Sequence, residues 1–291
     1  KTIILTNDID MGGVYNADTD SWSGPLYQPI GGQFVFDSDS TGTIGNAGTL
    51  SASFAGTFDG GGHYVYNVNA NLPTGMDSQS VGLIGRLGNH DNDAQSTWAA
   101  QPTVENVGIT GYVRAGRSVG GIVGKTGQST DGCLIANCVN RATVSNTDAK
   151  GCGGVVGAAW NRPTVINCYN AGRVANGYTN ASGGVVGSNE AKTINCYNVG
   201  TVTQRSGQSA SIASQNGGST YTNCFWLTGS ANVGVYNYYG TGVTEMSSSE
   251  MLNSAFLSTL GTAYAADENN VNGGYPVLFW EAGESSLDIT R

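Results

Sequence analysis

The sequence is poor in charged residues, and above all in positive ones. Asp, Glu, Lys and Arg make up 11% of its 291 residues, against about 25% in typical domains, and the 12 Lys and Arg residues are scattered. Nucleic-acid binding needs a basic face that displaces counterions from phosphates, so the net charge of −9 argues against a nucleic-acid partner. The same shortage argues against an anionic polysaccharide as the ligand.

Long apolar runs and familiar catalytic motifs are also missing. No run approaches the ~18 apolar residues of a transmembrane helix, so we expect no membrane insertion. The sequence has no H-E-x-x-H and no C-x-x-C, and His63 and His90 are its two histidines. The first absence argues against a zinc-protease site of that type, and two histidines leave little support for nucleophilic catalysis. We expect no metal and no cofactor, with calcium at Asp/Asn turns as the one alternative.

Glycine is abundant, with 45 residues, and it recurs at regular intervals. A Gly-apolar-apolar-Gly core occurs at 82–85, 121–124, 154–157 and 184–187. A second series, typified by “INCYN”, runs in step with it and places an asparagine at 31-, 30-, 28- and 28-residue intervals. These asparagines are Asn106, Asn137, Asn167, Asn195 and Asn223, and Asn67 aligns with an earlier copy.

Each repeat contains three short apolar stretches rich in Val and Ile. Stretches of this length favour strands over helices. Three strands per repeat make one triangular coil, and parallel stacking brings equivalent residues of successive coils about 4.8 Å apart. The sequence therefore predicts an all-β fold: a right-handed parallel β-helix of about six three-strand coils with a short C-terminal capping helix.

Stacked coils would turn the recurring asparagines and cysteines into two ladders. Amide-to-amide hydrogen bonds satisfy buried asparagines, and the thiols act as small apolar fillers that Val107 and Val68 continue. Disulfides Cys138–Cys168 or Cys196–Cys224 are the alternative, and Cys133 could pair with Cys152. The predicted structural ladder residues are Asn137, Asn167, Asn195, Asn223, Cys138, Cys168, Cys196 and Cys224.

The two ends depart from the repeat, as capping segments do. We expect an irregular N-terminal cap at 1–50, repeats at 51–242, a C-terminal helix–strand cap at 243–282 and a linker to a further domain at 283–291. Ser247 and Glu250 have capping-box spacing, and Gly261 ends the predicted single helix, which should cover the last coil. Its predicted apolar face consists of Met251, Leu252, Ala255, Phe256 and Leu260.

Several motifs, taken in order, resemble the GLUG-repeat proteins of bacterial surfaces. They are “NDIDM”, “PIGG”, “FAGTFDGGGHYVYNV”, “VGLIG”, “GGIVG/GGVVG”, “NCYN-G-V” and “NGGYPVLFW”, and they cover nearly the whole chain. The resemblance implies a parallel β-helix inside large extracellular proteins, secreted or attached to the cell surface, including IgA-protease-like adhesins and multidomain gut-bacterial proteins. It implies no single activity, so the function has to be argued from a site.

We expect the chain to act in adhesion, glycan recognition or the spacing of domains. Its partners would be a host or microbial glycan, a surface protein or other domains of the same chain. Aromatic residues in turns and insertions can stack on sugars or peptides. The candidate ligand-binding residues are Trp22, Trp98, Trp160 and Tyr178.

The alternative is a carbohydrate-active enzyme on the same fold, a glycoside hydrolase before a polysaccharide lyase. Hydrolysis needs two carboxylates roughly 5–9.5 Å apart. The insertion “GNHDNDAQSTWAAQ” offers His90, Asp91 and Asp93 as candidate catalytic or cation-binding residues, although a solvated loop is the more ordinary interpretation. No carboxylate recurs at equivalent positions of the repeats, which leaves this alternative without a predicted acidic cleft.

Overall fold

The chain is all-β, with two large sheets of parallel strands and short helices near its C-terminus. None of the helices in the described residues is long and apolar enough to cross a membrane. The structure is a computed structural model that describes residues 1–31, 53–71, 80–89, 95–147, 151–177, 182–205, 209–214, 218–236 and 241–283.

The first large sheet places equivalent segments of successive repeats side by side. Leu134 pairs with Thr103 on one side and Thr164 on the other, and Thr164 pairs in turn with Lys192, always in parallel. Residues that pair in this sheet are therefore separated by the repeat interval of the sequence. The strands that precede the turn asparagine, which we call the first column, are Thr2–Ile4, Thr57–Asn71, Thr103–Ala115, Leu134–Ala136, Thr164–Ile166, Lys192–Ile194 and Thr220–Thr222.

Two further columns continue this sheet beyond the turn, and the strands Thr57–Asn71 and Thr103–Ala115 run through all three. The column directly after the turn, here the tyrosine column, contains Ile9–Asp10, Val139–Asn140, Tyr169–Asn170, Tyr197–Asn198, Cys224–Leu227 and Val243–Met246. The next, here the outer column, contains Thr143–Asn146, Val174–Asn176 and Val202–Gln204.

The second large sheet, here the glycine sheet, carries the Gly-apolar-apolar-Gly motifs. Val156 pairs in parallel with Val123 and Val186 of the neighbouring repeats. Its inward valines and isoleucines pack with the ladder cysteines in one buried core. Each fully buried side chain of this size contributes about 1.5–3 kcal/mol. The strands are Ser80–Val81, Ile84–Leu87, Ser118–Gly120, Val123–Thr126, Cys152–Gly153, Val156–Ala159, Ser182–Gly183, Val186–Asn189, Ala210–Ala213 and Val233–Val235.

Close backbone contact explains why the motif needs glycine. A Cβ at Gly154 would lie 2.1 Å from the carbonyl oxygen of Gly184 and 2.4 Å from the amide group of Asn170. Carbon atoms cannot approach this closely, so any larger residue would force the repeats apart.

The turn after each first-column strand has a left-handed backbone at its asparagine. Asn106, Asn137, Asn167, Asn195 and Asn223 have φ angles of 52° or 53°. Asparagine tolerates this conformation better than most residues with a Cβ. The residue therefore recurs for a backbone reason in addition to its side-chain hydrogen bonds.

The first repeat has a different register from the one that the sequence alignment predicts. The alignment continues the cysteine ladder through Val68, but Val68 pairs with Gly111, and His63 is the residue that pairs with Val107. The pairing shifts by two residues across the glycine run of “FDGGGH”, where Gly61 has a φ of 61°, and by one more residue between Val65 and Val68. A bulge adds residues to one strand, and counting without it misplaces everything that follows.

The C-terminal segment also differs from the prediction. Instead of one helix there are two, because Asn253 accepts a hydrogen bond from the amide of Ala255 and caps the second. The Ser247–Glu250 capping box is present, whereas Leu252 and Ala255 are exposed. The remaining elements here are Ser248–Met251, Ser254–Leu260, the antiparallel pair Tyr264–Ala265 and Val277–Leu278, and 3-10 turns at Gly261–Ala263 and Phe279–Glu281.

The sequence predicts that this segment covers the last coil as a lid. In the structure it lies along the side of the stack instead. Phe256 contacts Phe225 of the strand Cys224–Leu227, and Glu281 reaches back to Tyr64 of the strand Thr57–Asn71. The segment thus clamps the tyrosine column along much of its length. The domain boundaries stay predictions, and the proposed linker beyond Gly283 lies outside the described residues. One further 3-10 turn spans Gln95–Thr97.

Candidate functional site

A groove of about 820 Å³ lies between the outer face of the first sheet and a hairpin of the N-terminal segment. The hairpin consists of Val14–Asn16 and Ser21–Ser23, which pair antiparallel. It leaves the stack after Gly13, whose amide donates to the carbonyl oxygen of Asn67 at 2.9 Å. The volume falls within the roughly 300–1,000 Å³ that small-molecule sites occupy.

The turn sequence “NADTD” accounts for the shape of the hairpin. The side-chain oxygen of Asn16 accepts hydrogen bonds from the amides of Asp18 at 2.9 Å and Thr19 at 3.3 Å. Asp20 follows with a φ of 47°, a conformation that Asp tolerates. The turn therefore sets Tyr15 directly opposite Trp22.

Tyr15 and Trp22 form an aromatic wall on one side of the groove. Their ring centroids are 5.6 Å apart with the planes inclined by 40°. The Tyr15 hydroxyl donates to the Asp20 carboxylate at 2.9 Å, and this hydrogen bond raises the pKa of Tyr15. Tyr15 is 49% exposed, so its ring is available to a ligand. An exposed aromatic surface beside a carboxylate can stack on a sugar ring and accept hydrogen bonds from its hydroxyls.

The floor of the groove is made by residues that stack in register on the first sheet. Tyr112 and Thr143 pair across two repeats, and Arg173 follows at the same position of the next. Ser145 and Ala175 form a second, parallel row. Successive rungs lie about 4.8 Å apart, so the floor is a regular array in which the hydroxyl groups of Tyr112, Thr143 and Ser145 predominate, with one arginine on the last rung.

The two arginines that line the groove differ in their surroundings. The Arg141 side chain is nearly buried, and its guanidinium binds the Glu281 carboxylate at 3.1 Å. Arg173 is exposed, and no hydrogen bond or ion pair joins its side chain to any other described residue. Arg141 therefore has a structural role, and Arg173 presents its charge to the groove.

Arg141 belongs to a buried polar cluster that attaches the C-terminal segment to the sheet. The Glu281 carboxylate accepts hydrogen bonds from the hydroxyls of Tyr64 at 2.5 Å and Tyr169 at 2.9 Å, and from the amide of Leu278 at 2.9 Å. Burial raises the pKa of both tyrosines, so they stay protonated donors. Glu281 is 1% exposed, which makes this cluster a clamp and not an accessible site.

Of the four aromatic candidates from the sequence, Trp22 lines the groove. Trp160 lies at the end of the glycine-sheet strand Val156–Ala159, 47% exposed, with the Lys125 ammonium 5.2 Å from its ring centre. Trp98 is partly buried next to the 3-10 turn Gln95–Thr97. Neither Trp98 nor Trp160 is among the groove-lining residues. Tyr178 and the proposed catalytic residues His90, Asp91 and Asp93 lie outside the described residues.

The turn asparagines form a continuous column of hydrogen bonds. Asn137 donates to Asn106 at 3.0 Å, and Asn167, Asn195 and Asn223 continue the series at 3.1, 2.8 and 2.6 Å. The position before Asn106 in this column, which the sequence alignment gives to Asn67, is occupied by Asp59. The Asp59 carboxylate accepts a hydrogen bond from the side-chain amide of Asn106 at 3.0 Å.

A second asparagine column, which the sequence analysis missed, is entirely buried. Asn140 donates to Asn170, and Asn170 donates to Asn198, both at 2.7 Å. The second asparagine of “NCYN” recurs at the repeat interval, and this recurrence could have predicted the column. Because this column fills the space beside the motif glycines, it links the tyrosine column to the glycine sheet.

The six cysteines, all of them described, are free thiols and are buried. The amide of Cys138 donates to the sulfur of Cys168 at 3.4 Å, and that of Cys168 donates to Cys196 at the same distance. Cys133 instead contacts the carbonyl oxygen of Leu87, so the alternative Cys133–Cys152 disulfide is absent. The ladder cysteines therefore pack as small apolar residues do.

One carboxylate pair does occupy stacked positions, in contrast to the sequence analysis. Asp59 pairs with Glu105 across two repeats, and burial together with Asp59 raises the pKa of Glu105. The bulge in the first repeat hides this pair from a sequence alignment. Asp59 is held by Asn106 and the amide of Gly61, and neither acid lines the groove. The described residues contain no group of three or more His, Cys, Asp or Glu side chains placed to bind a metal ion.

Comparison with known proteins gives one solved structure of similar fold. No family model matches the chain, and no curated protein matches it. The crystal structure of “a putative immunoglobulin A1 protease from Bacteroides ovatus” superposes with a TM-score of 0.60 at 21% sequence identity, over 96% of this chain and 86% of that one. At this identity the likeness concerns the fold alone, and this chain shares an all-β, parallel-sheet architecture with that protein.

Proposed function

We propose that this chain is a GLUG-type module of a secreted or surface-attached bacterial protein and that it binds a glycan in the groove beside Trp22. Parallel pairing of successive repeats supports a right-handed parallel β-helix as its scaffold, at intervals of 28 to 31 residues in the middle of the first column and of 33 and 30 residues in the glycine sheet. The solved structure of similar fold, from a Bacteroides species, fits an extracellular role.

The pairing of an aromatic wall with a flat polar floor carries this proposal. Sugars present an apolar ring face and an edge of hydroxyl groups, so a site for them needs an aromatic surface and hydrogen-bonding side chains. Tyr15 and Trp22 supply the first, while Asp20, Thr143 and Ser145 supply the second. The stacked rungs hold the floor rigid, which limits the entropy lost on binding.

Binding is favoured over glycan cleavage because of the carboxylates in the groove. Glycoside hydrolysis requires two of them, about 5–9.5 Å apart, on either side of the bond. Asp20 is the one carboxylate among the lining residues that the structure describes, and it is already hydrogen-bonded to Tyr15.

A glycan array probed with the intact chain, followed by titration of the best ligand, tests the proposal. Truncating an aromatic anchor costs about 2 kcal/mol or more, so Trp22→Ala should weaken binding at least ~30-fold. Trp160→Ala is the matched control, because that tryptophan is exposed but lies outside the groove. Equal loss in the two variants, or no loss in Trp22→Ala, would refute the assignment. Release of shorter sugars during incubation would favour the enzyme.

A further inference from the structure

We propose that the groove selects glycans that carry a carboxylate, as uronic and sialic acids do, and that Arg173 binds this carboxylate. The inference rests on the proposed glycan-binding function and names the class of ligand for the same groove. It concerns one acidic sugar within a largely neutral glycan and not a polyanion.

The first support is the availability of the Arg173 guanidinium. Its backbone is fixed in the sheet, where its carbonyl oxygen accepts the amide of Val144 at 2.8 Å. Its side chain is exposed and has no hydrogen-bond or ion-pair partner among the described residues. Its neighbours Thr143 and Ala175 are too short to cover it. A guanidinium on a rigid strand can receive a carboxylate through two parallel hydrogen bonds.

The charge balance of the groove gives the second support. The lining residues carry two positive charges and one negative charge, but the Arg141 charge is neutralised by Glu281. Asp20 is engaged by Tyr15 and makes no ion pair with Arg173. The site can therefore take one anionic group at Arg173. The net charge of −9 opposes a polyanion but leaves this single contact available.

Trp22 and Arg173 line the same groove, so one short oligosaccharide can contact both. Tyr112, Thr143 and Arg173 occupy three successive rungs, so the arginine lies about 10 Å from the start of the floor. We expect a neutral sugar on Trp22 and an acidic sugar at Arg173. The neutral and acidic versions of one oligosaccharide should therefore differ in their contact with Arg173.

Two matched probe pairs test the inference by titration: 3′-sialyllactose against lactose, and cellobiouronic acid against cellobiose. In at least one pair the wild-type chain should bind the acidic member ~10- to 100-fold more tightly, as expected for a charge-assisted hydrogen-bonded pair. Arg173→Gln should remove this preference, so that the acidic and neutral members of the pair bind alike, whereas Arg173→Lys should retain part of it. Arg162→Gln, which removes an exposed arginine outside the groove, should change neither.

The outcomes separate this inference from the proposed function. Equal binding of both members in each pair, or acidic binding that survives Arg173→Gln, overturns the acid selectivity while glycan binding stands. Absence of acidic binding in both pairs also overturns it. If sugars bind but Trp22→Ala has no effect on them, the groove assignment and the inference fail together.

Discussion

Glu281 provides the sharpest test of how the C-terminal segment is held. Glu281→Gln keeps the size of the side chain but removes its charge, in a cluster where the carboxylate is 1% exposed. The carboxylate is the ion-pair partner of Arg141 at 3.1 Å and the acceptor for Tyr64, Tyr169 and Leu278. After the substitution the buried guanidinium would have no counterion.

The expected loss is large for a single isosteric change. Breaking a buried ion pair by removing one partner costs about 3–5 kcal/mol, because the remaining charge stays desolvated. Domains have about 5–15 kcal/mol of total stability, so this is a substantial fraction. An exposed pair offers the contrast: Arg162 and Glu190 are 3.8 Å apart with side chains 70% and 44% exposed, and Arg162→Gln should cost less than about 1 kcal/mol.

Urea unfolding followed by two probes distinguishes the clamp from the stack. Trp280 donates from its indole to the carbonyl oxygen of Asn137 at 3.0 Å, so its fluorescence reports on the clamp once the other four tryptophans are replaced by phenylalanine in every variant compared. Far-ultraviolet circular dichroism reports on the sheets. In Glu281→Gln the fluorescence transition should move to a lower urea concentration than the circular-dichroism transition. Adding Arg141→Met should recover much of the loss, because a buried pair replaced by neutral groups leaves no unpaired charge.

If Glu281→Gln loses no more stability than Arg162→Gln, the buried ion pair does not hold the C-terminal segment. The same conclusion follows if Arg141→Met destabilises the Glu281→Gln variant by the full cost of an independent change, because the two side chains would then act separately.

Three further predictions concern the stack. Gly154→Ala should cost about 3 kcal/mol in chemical unfolding, whereas Gly283→Ala, where a Cβ meets nothing within 4 Å, should be neutral; equal effects would contradict the packing argument. Asn167→Gly should be about 1–2 kcal/mol less damaging than Asn167→Ala, because glycine adopts a φ of 52° freely; the reverse order would contradict a role for the backbone. Burial raises the pKa of the Cys133 thiol to about 11 and that of Cys196 well above its usual value. Since unfolded thiols ionise near pH 9, stability should be full below that pH and fall above it by about 1.4 kcal/mol per pH unit for each such thiol; urea midpoints that stay constant from pH 8 to 10.5 would contradict this.

The middle of the stack could be predicted from the sequence because each repeat makes the same contacts. Leu134, Thr164 and Lys192 pair at the intervals that the motifs define, since equivalent residues meet equivalent neighbours. The first repeat could not be predicted so well, because the glycine bulge after Asp59 shifts its register. Nor did the apolar pattern of the C-terminal segment show that Asn253 divides the helix, because capping depends on local backbone geometry.

The groove could be predicted only in part. Trp22 was recognisable as an aromatic residue outside the repeats. Its segment was predicted to be irregular, however, whereas “VYNADTDSWS” forms a hairpin whose alternation and turn residues are visible in the sequence. Nothing in the local sequence near Arg173 shows that the hairpin faces it, because that contact joins distant parts of the chain. The buried Arg141–Glu281 pair is hidden for the same reason.

A crystal structure of the chain with a bound oligosaccharide would show whether the groove is the binding site. We expect a sugar ring stacked on Trp22, hydroxyl groups within hydrogen-bond reach of Thr143 and Ser145, and a carboxylate against Arg173. A ligand bound to Trp160 or elsewhere on the glycine sheet, with the groove empty at saturating ligand, would contradict it.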